Sequence, residues 1–425
     1  VEGLTRIALL PSEAIRPRMA GIGIRYFELA RRLPRPDLEV VLVNPGDPEA
    51  VGELPGVEVR RFERGRLGTL LADCDGAVTQ GQLANDLLIE CPELPAAVDL
   101  YDPFLVENLH YTESLGLDPY RNDHATWVLQ LSRGDFFLCS CQEQRLFYLG
   151  FLTALGRVNP ARVADDPDLV GLIDAVPFGV PEELPPPRPL LPEHLPGERR
   201  LLFGGLYDWY DPWPVLEAFH AEDEPGWRLL FIRNPNPGAT PQRLLGGVER
   251  WCRRRGLWGE RVQTLDWVPA ERRYDLLREV DLMVATHTPT LETRLSLRTR
   301  FLDALAAGCP VIATEGGGMS RLLREYDAGW VVPAGDPGAV AVALRAVLEV
   351  SGRGEARRQG ARRLVEDFAW ERVLEPLVRF CRCPEADPTK EDFAFRPSTA
   401  APPDPLPFRL RRRLGRLFRS GSGVR

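Results

Sequence analysis

The chain has 425 residues, 44% hydrophobic and 27% charged, enough for two or three ordinary domains with substantial cores. A formal net charge of −8 argues against a general nucleic-acid binder, which needs a basic surface to neutralise phosphates. No stretch approaches the ~20 apolar residues of a membrane-spanning helix.

The opening residues lack the charged region of a signal peptide, and a cytoplasmic protein is expected. Lysine occurs once, at Lys390. Any anion site must therefore use arginine, backbone amides or helix N-termini. The eight cysteines are scattered. Two Cys-x-Cys pairs occur, Cys139/Cys141 and Cys381/Cys383, closer than the usual zinc-ligand spacing; the first sits in an apolar strand-like run, so buried free thiols are expected.

Residues 7–10 read as a strand. A glycine turn at Gly21 and Gly23 follows, then Tyr26, Leu29, Ala30 and Leu33 recur at helical spacing. Further strands at 40–43, 76–79, 97–100, 136–140 and 175–177 alternate with helical patterns. This implies a parallel, doubly wound α/β domain over 1–180. Seven prolines between 181 and 196 make 181–198 a stiff linker. A second α/β series over 199–363 has strands at 200–203, 229–232, 262–265, 282–285, 311–313 and 329–332. Two such domains enclose a cleft, and ligands of such sheets bind beyond the carboxyl ends of the strands.

Residues 364–383 read as one long amphipathic helix, with Val365, Phe368, Val373, Leu377 and Phe380 on its apolar face, crossing back to the first domain. The rest, 384–425, reads as a disordered tail, proline-rich to 407 and then basic. Leu410, Leu414, Leu417 and Phe418 fall near one helical face among arginines. That end is either a disordered basic segment or a surface helix drawn to anionic lipid, which would hold the protein at the inner face of the plasma membrane.

Four segments in order resemble glycosyltransferase family 4. They are Gly21-Ile22-Gly23-Ile24-Arg25 with its helix; Val176-Pro177-Phe178-Gly179-Val180; the run from Phe301 through Asp303, Gly308 and Pro310 to Thr314; and Gly329-Trp330-Val331-Val332-Pro333-Ala334-Gly335-Asp336. The resemblance implies a GT-B fold: two Rossmann-like, doubly wound parallel-sheet domains with an interdomain cleft. It implies a retaining transferase that moves a sugar from a nucleoside diphosphate to a glycan or lipid-linked acceptor. No metal or other cofactor is implied beyond the nucleotide-sugar co-substrate, and nucleic acid is no partner. The same architecture would also serve a sugar-nucleotide epimerase, or a non-catalytic protein that binds a nucleotide sugar.

The chain departs from the family at two places. The family grips the diphosphate with an Arg and a Lys after the first strand of the second domain. Here Gly205 falls near the Arg place, and Tyr210 or Asp211 near the Lys place. The family's second glutamate maps onto Asp303, placed to hold a ribose hydroxyl pair. Its first maps onto Leu295, with Glu292 the nearest acid. Arg294, Arg298 and Arg300 precede or open the helix of Asp303. A helix N-terminus with a nearby arginine favours anions, so Arg298 and Arg300 are candidates to replace the clamp. Only one is expected to reach the phosphates, the other meeting Glu292 or solvent.

The candidate catalytic set is therefore Asp102, Glu292, Arg298 and Arg300. Asp102 stands where the resemblance would put a histidine, and is either a sugar contact or a turn former before Pro103. The candidate donor-binding set is Gly21, Gly23, Gly204, Gly205, Asp208, Trp267, Val268, His287, Thr299 and Asp303. Trp267 either stacks on the base or packs. Asp208 and Asp211 either contact sugar or cap the next helix. Gly316 to Gly318 either make a turn or bring amides towards the donor. His110 and His124 read as surface or structural residues.

Overall fold

The structure is a computed structural model. It describes residues 4–17, 19, 21–111, 116–207, 209–233, 243–348 and 353–394. The first sheet is built from β1 (Thr5–Leu10), β2 (Leu38–Asn44), β3 (Val57–Arg61), β4 (Gly76–Thr79), β5 (Ala96–Asp99), β6 (Phe136–Cys139) and β7 (Ile173–Ala175). Its order is β3-β2-β1-β4-β5-β6-β7, and every pair is parallel. The second sheet has β8 (Arg199–Gly205), β9 (Trp227–Ile232), β10 (Val262–Leu265), β11 (Leu282–Ala285), β12 (Val311–Thr314) and β13 (Trp330–Val332). It runs β10-β9-β8-β11-β12-β13, again parallel throughout.

Both sheets are covered by helices on both faces, so their strands are apolar runs without alternation. Ile7 to Leu10 of β1 are fully buried. In each sheet the strand order reverses once, between β1 and β4 and between β8 and β11. A crevice opens beyond the strand ends at such a reversal.

Four expectations need correction. Val57–Arg61 was not foreseen as a strand, because VEVRR places charges on a half-exposed edge and has no apolar run. The last strand of the first sheet ends at Ala175, two residues before the expected end, and Pro177 has no N–H to continue the ladder.

The expected long helix at 364–383 is three pieces: Arg353–Asp367, Trp370–Val373 and Glu375–Arg382. The break falls where the chain returns to the first domain. There Val180 donates to the Phe368 carbonyl at 2.8 Å and accepts from the Trp370 N–H at 3.1 Å. The two crossing strands of chain are thus hydrogen-bonded to each other. Gly179 makes this possible: a Cβ there would stand 2.6 Å from the Trp370 ring. Trp370, Val373, Leu377 and Cys381 then fill the core on one face of the first sheet.

Residues 384–394 are likewise not a loose tail. Asp387 is buried and paired with Arg157 and Arg162, each at 2.8 Å. Lys390 pairs with Asp135 at 2.9 Å. The basic segment at 408–425 lies outside the described residues. Among the described residues no helix is long and apolar enough to cross a membrane.

Candidate active site

β8 ends in Gly204 and Gly205. Gly204 has φ +89°, a conformation that favours glycine, and the β8–β9 register shifts there. A Cβ on Gly204 would stand 2.9 Å from Nη1 of Arg300. The strand end therefore lacks a side chain where the Arg300 guanidinium lies. Beyond the carboxyl ends of β8, β9 and β10 a cavity of about 270 Å³ opens, lined by Gly204, Gly205, Trp267, Val268, Thr299, Arg300 and Asp303. Ile24 closes it from the first domain. Seven candidates separated by up to 99 positions thus share one space. The Trp267 loop and the helix of Asp303 lie on the same side of their sheet.

Within the cavity Asp303 is already engaged. Tyr274 donates its hydroxyl to Oδ1 at 2.6 Å, and Arg273 Nε lies 3.3 Å from the same oxygen. Arg273 also stacks over the Tyr274 ring at 4.4 Å and lines the cavity. Burial, then the Asp303 charge, push the Tyr274 hydroxyl far above its ordinary range, so it remains a donor. Neither residue was foreseen. The signal available was an arginine opening the helix Arg273–Arg278 just beyond the Trp267 loop.

Arg298 and Arg300 diverge. Arg298 Nη2 bonds Glu292 at 2.6 Å, and Glu292 also accepts from the Ser296 hydroxyl. Glu292 is 2% exposed, so this is a buried, closed pair outside the cavity lining. Arg300 faces the cavity, and no ion pair joins it to a carboxylate among the described residues.

His287 does not line the cavity. Its ring is buried against Tyr210, centroids 4.5 Å apart, and its Nε2 has no partner among the described residues. Burial, then the charges of Arg298 and Arg300, depress its pKa well below 6.5. Asp211 does not line the cavity either: its carboxylate accepts the Trp213 N–H at 3.4 Å at the start of the helix Trp213–Glu222. Asp208 lies outside the described residues, as does the side chain of His110. His124 is exposed.

On the first-domain side, Gly21 opens the helix Gly21–Arg32 and is exposed. The Gly23 N–H donates to Glu13 at 2.8 Å. A carboxylate of the chain thus occupies the amide that was expected to meet a ligand. Asp102 is hydrogen-bonded to Glu107, with the Glu292 charge close by. Burial pushes both carboxyls up, Glu107 the further, with the Asp102 charge as its second cause. Tyr101 faces Thr299 across the cleft, its hydroxyl pushed up to about 12 by burial. Arg321 meets Glu143 at 2.8 Å, a second link between the domains. Gly317, at φ +84°, abuts the carbonyls of Thr293 and Ser296, where a Cβ has no room. The glycine run thus packs on the Glu292 loop.

A family model described as glycosyl transferases group 1 matches residues 218–350. Over 77 residues, 18% of this chain, the sequence is 42% identical to D-inositol 3-phosphate glycosyltransferase of Geodermatophilus obscurus. Over 78 residues it is 35% identical to phosphatidyl-myo-inositol mannosyltransferase of Mycobacterium leprae. These matches span only 16% and 21% of the relatives' own lengths.

Solved structures match nearly end to end. Sucrose-phosphate synthase from Thermosynechococcus elongatus superposes with TM-score 0.62 at 18% identity, over 89% of this chain and 98% of that one. HepE of Anabaena in complex with UDP-glucose gives 0.62 at 17%, over 88% and 99%. The fold is GT-B. In that frame the loop after β8 carries no cation among its described residues. The arginine at the strand end arrives from the helix Thr299–Ala306.

Proposed function

We propose that the chain is a glycosyltransferase that takes a sugar from a nucleoside diphosphate and passes it, with retention, to a glycan or lipid-linked acceptor without a metal. One observation carries this reading: the cavity at the β8/β11 reversal, with an exposed tryptophan at one side, an acid in the middle and an unneutralised arginine beside a helix N-terminus. Those are the elements a nucleoside diphosphate requires. Trp267, 37% exposed, offers a face for the base. Asp303 takes the ribose hydroxyls, held in place by Tyr274 and Arg273. Arg300 and the first-turn amides of its helix meet the diphosphate. As the glycosidic bond breaks, negative charge grows on the departing phosphate oxygen, and preorganised donors there stabilise the transition state.

The acceptor enters from the first domain, past Ile24, Tyr101 and the Asp102–Glu107 pair. In this reading Asp102 contacts the donor sugar or the acceptor hydroxyl. The protein's place is the cytoplasm, with peripheral attachment through the basic segment at 408–425 as a further part of this reading.

Incubation with a panel of nucleotide sugars tests it. Acceptor-dependent release of nucleoside diphosphate, with the anomeric configuration of the product kept, is the expected result. A changed donor sugar without acceptor would make the protein an epimerase. Binding without turnover would make it a non-catalytic nucleotide-sugar protein.

A further inference from the structure

We propose that Tyr210 is a positioning residue that holds Arg300 in the diphosphate-facing orientation. The proposal rests on the nucleotide-sugar reading above. Three arginines lie around the cavity, and two are neutralised: Arg298 by Glu292 at 2.6 Å and Arg273 by Asp303 at 3.3 Å. Arg300 has no such carboxylate among the described residues, so its charge remains for a ligand. A long side chain without an ionic tether is free to swing, and that freedom must be lost when it binds an anion.

Two features restrict it beforehand. The Arg300 guanidinium lies over the Tyr210 ring, 5.0 Å from its centroid, within cation–π range. The missing Cβ at Gly204 leaves the gap that Nη1 occupies. A planar guanidinium stacked on a ring keeps its edge N–H groups free for phosphate oxygens.

Tyr210 is itself buried and held by its neighbours. Its N–H bonds the Tyr207 carbonyl at 3.0 Å, and its backbone bridges to His287 at the end of β11. Its ring packs on His287 at 4.5 Å and Phe203 at 5.7 Å. The loop after β8 therefore supplies the seat for the cation, and the helix Thr299–Ala306 supplies the cation.

The test uses the full chain and measures binding of UDP, GDP and ADP, each beside its monophosphate. The ratio of diphosphate to monophosphate affinity reports the outer phosphate contact and is insensitive to general loosening of the fold. Tyr210→Phe should keep the ratio. Tyr210→Leu should lower it about tenfold, within the range of a partly desolvated cation–π contact. Arg300→Ala should lower it at least as much, and the double variant no further. Should Tyr210→Leu not fold, Arg300→Lys answers the same question. It keeps the charge but loses the flat stacking surface, and it should also lower the ratio. An unchanged ratio in Tyr210→Leu, or in Arg300→Lys, beside a reduced one in Arg300→Ala overturns the role of Tyr210 and leaves the nucleotide reading standing. Failure of the unmodified chain to bind any of the nucleotides overturns both.

Discussion

Arg300 in the cavity and Arg298 outside its lining make separable predictions. Arg300 should matter more in the transition state than in the ground state. Arg300→Ala is expected to lower turnover by roughly 10²–10³, the scale for one preorganised charge-stabilising donor, with a smaller effect on donor affinity; steady-state kinetics with varied donor measures both. Arg298 should behave differently, because its removal leaves Glu292 buried without its partner. A loss of roughly 3–5 kcal/mol is expected from breaking such a pair, visible in denaturant unfolding before any kinetic effect is measured. Near-normal turnover in folded forms of both variants would remove arginine compensation from the mechanism.

His287 gives a pH dependence. The folded protein resists protonating this ring, whereas the unfolded chain takes the proton near pH 6.5. Stability is therefore intact above that pH and falls as pH drops below it, at up to about 1.4 kcal/mol per unit for one proton. His287→Gln should flatten this slope in urea titrations from pH 6.5 downwards. Glu107 has the opposite sign: its raised pKa makes the fold gain stability as pH falls towards the carboxylate range. Glu107→Gln should remove that gain and steepen the net loss.

At the level of elements, glycine marks where one piece of chain crosses another. Gly179 lies under Trp370 at the paired crossing, with the virtual Cβ 2.6 Å from the ring and 2.8 Å from its Cα. Because a backbone atom is involved, neither side can yield cheaply. Gly179→Ala should cost roughly 1–3 kcal/mol, the range for overpacking a tight core, and thermal unfolding measures it. The expectation of one helix over 364–383 failed here for a related reason. Apolar spacing alone favours continuation through Phe368 and Ala369. The competing term is the pair of backbone hydrogen bonds to Val180, a partner nearly two hundred positions away that local periodicity does not register. VEVRR failed as a strand for the converse reason: an edge position tolerates charge that a central strand would not.

For the whole molecule, the end of the described chain acts as a clasp on the first domain. Asp387 and Arg157 are both essentially unexposed, and Arg157 and Arg162 hold the Asp387 carboxyl well below the usual carboxylate range despite its burial. Asp387→Asn leaves Arg157 without its counter-charge, so a loss of roughly 3–5 kcal/mol is expected. Truncation after Cys383 should destabilise at least as much in the same unfolding assay. The Arg321–Glu143 link between the domains is of another kind. Both side chains are partly exposed, and pairs of this sort contribute about 0–1 kcal/mol. This contact therefore adds little to what holds the domains together.

The sequence by itself determined the two doubly wound domains and the candidate donor residues that meet in the cavity. Apolar runs of strand length punctuated by glycine and proline are local signals, and buried parallel strands write them strongly. It also named Asp303 and restricted the missing cation to arginine, since composition alone leaves no lysine near the site. Only the tertiary structure separated the two candidate arginines. Arg298 and Arg300 are two positions apart and alike in sequence. Their difference is that Glu292 folds back onto one, whereas a glycine without Cβ and the face of Tyr210 receive the other. The same holds for Gly23, whose amide Glu13 already occupies, and for Arg273 and Tyr274, which reach Asp303 from another helix. Contacts between side chains distant in sequence depend on how layers stack, and the identities of single residues do not encode that stacking locally.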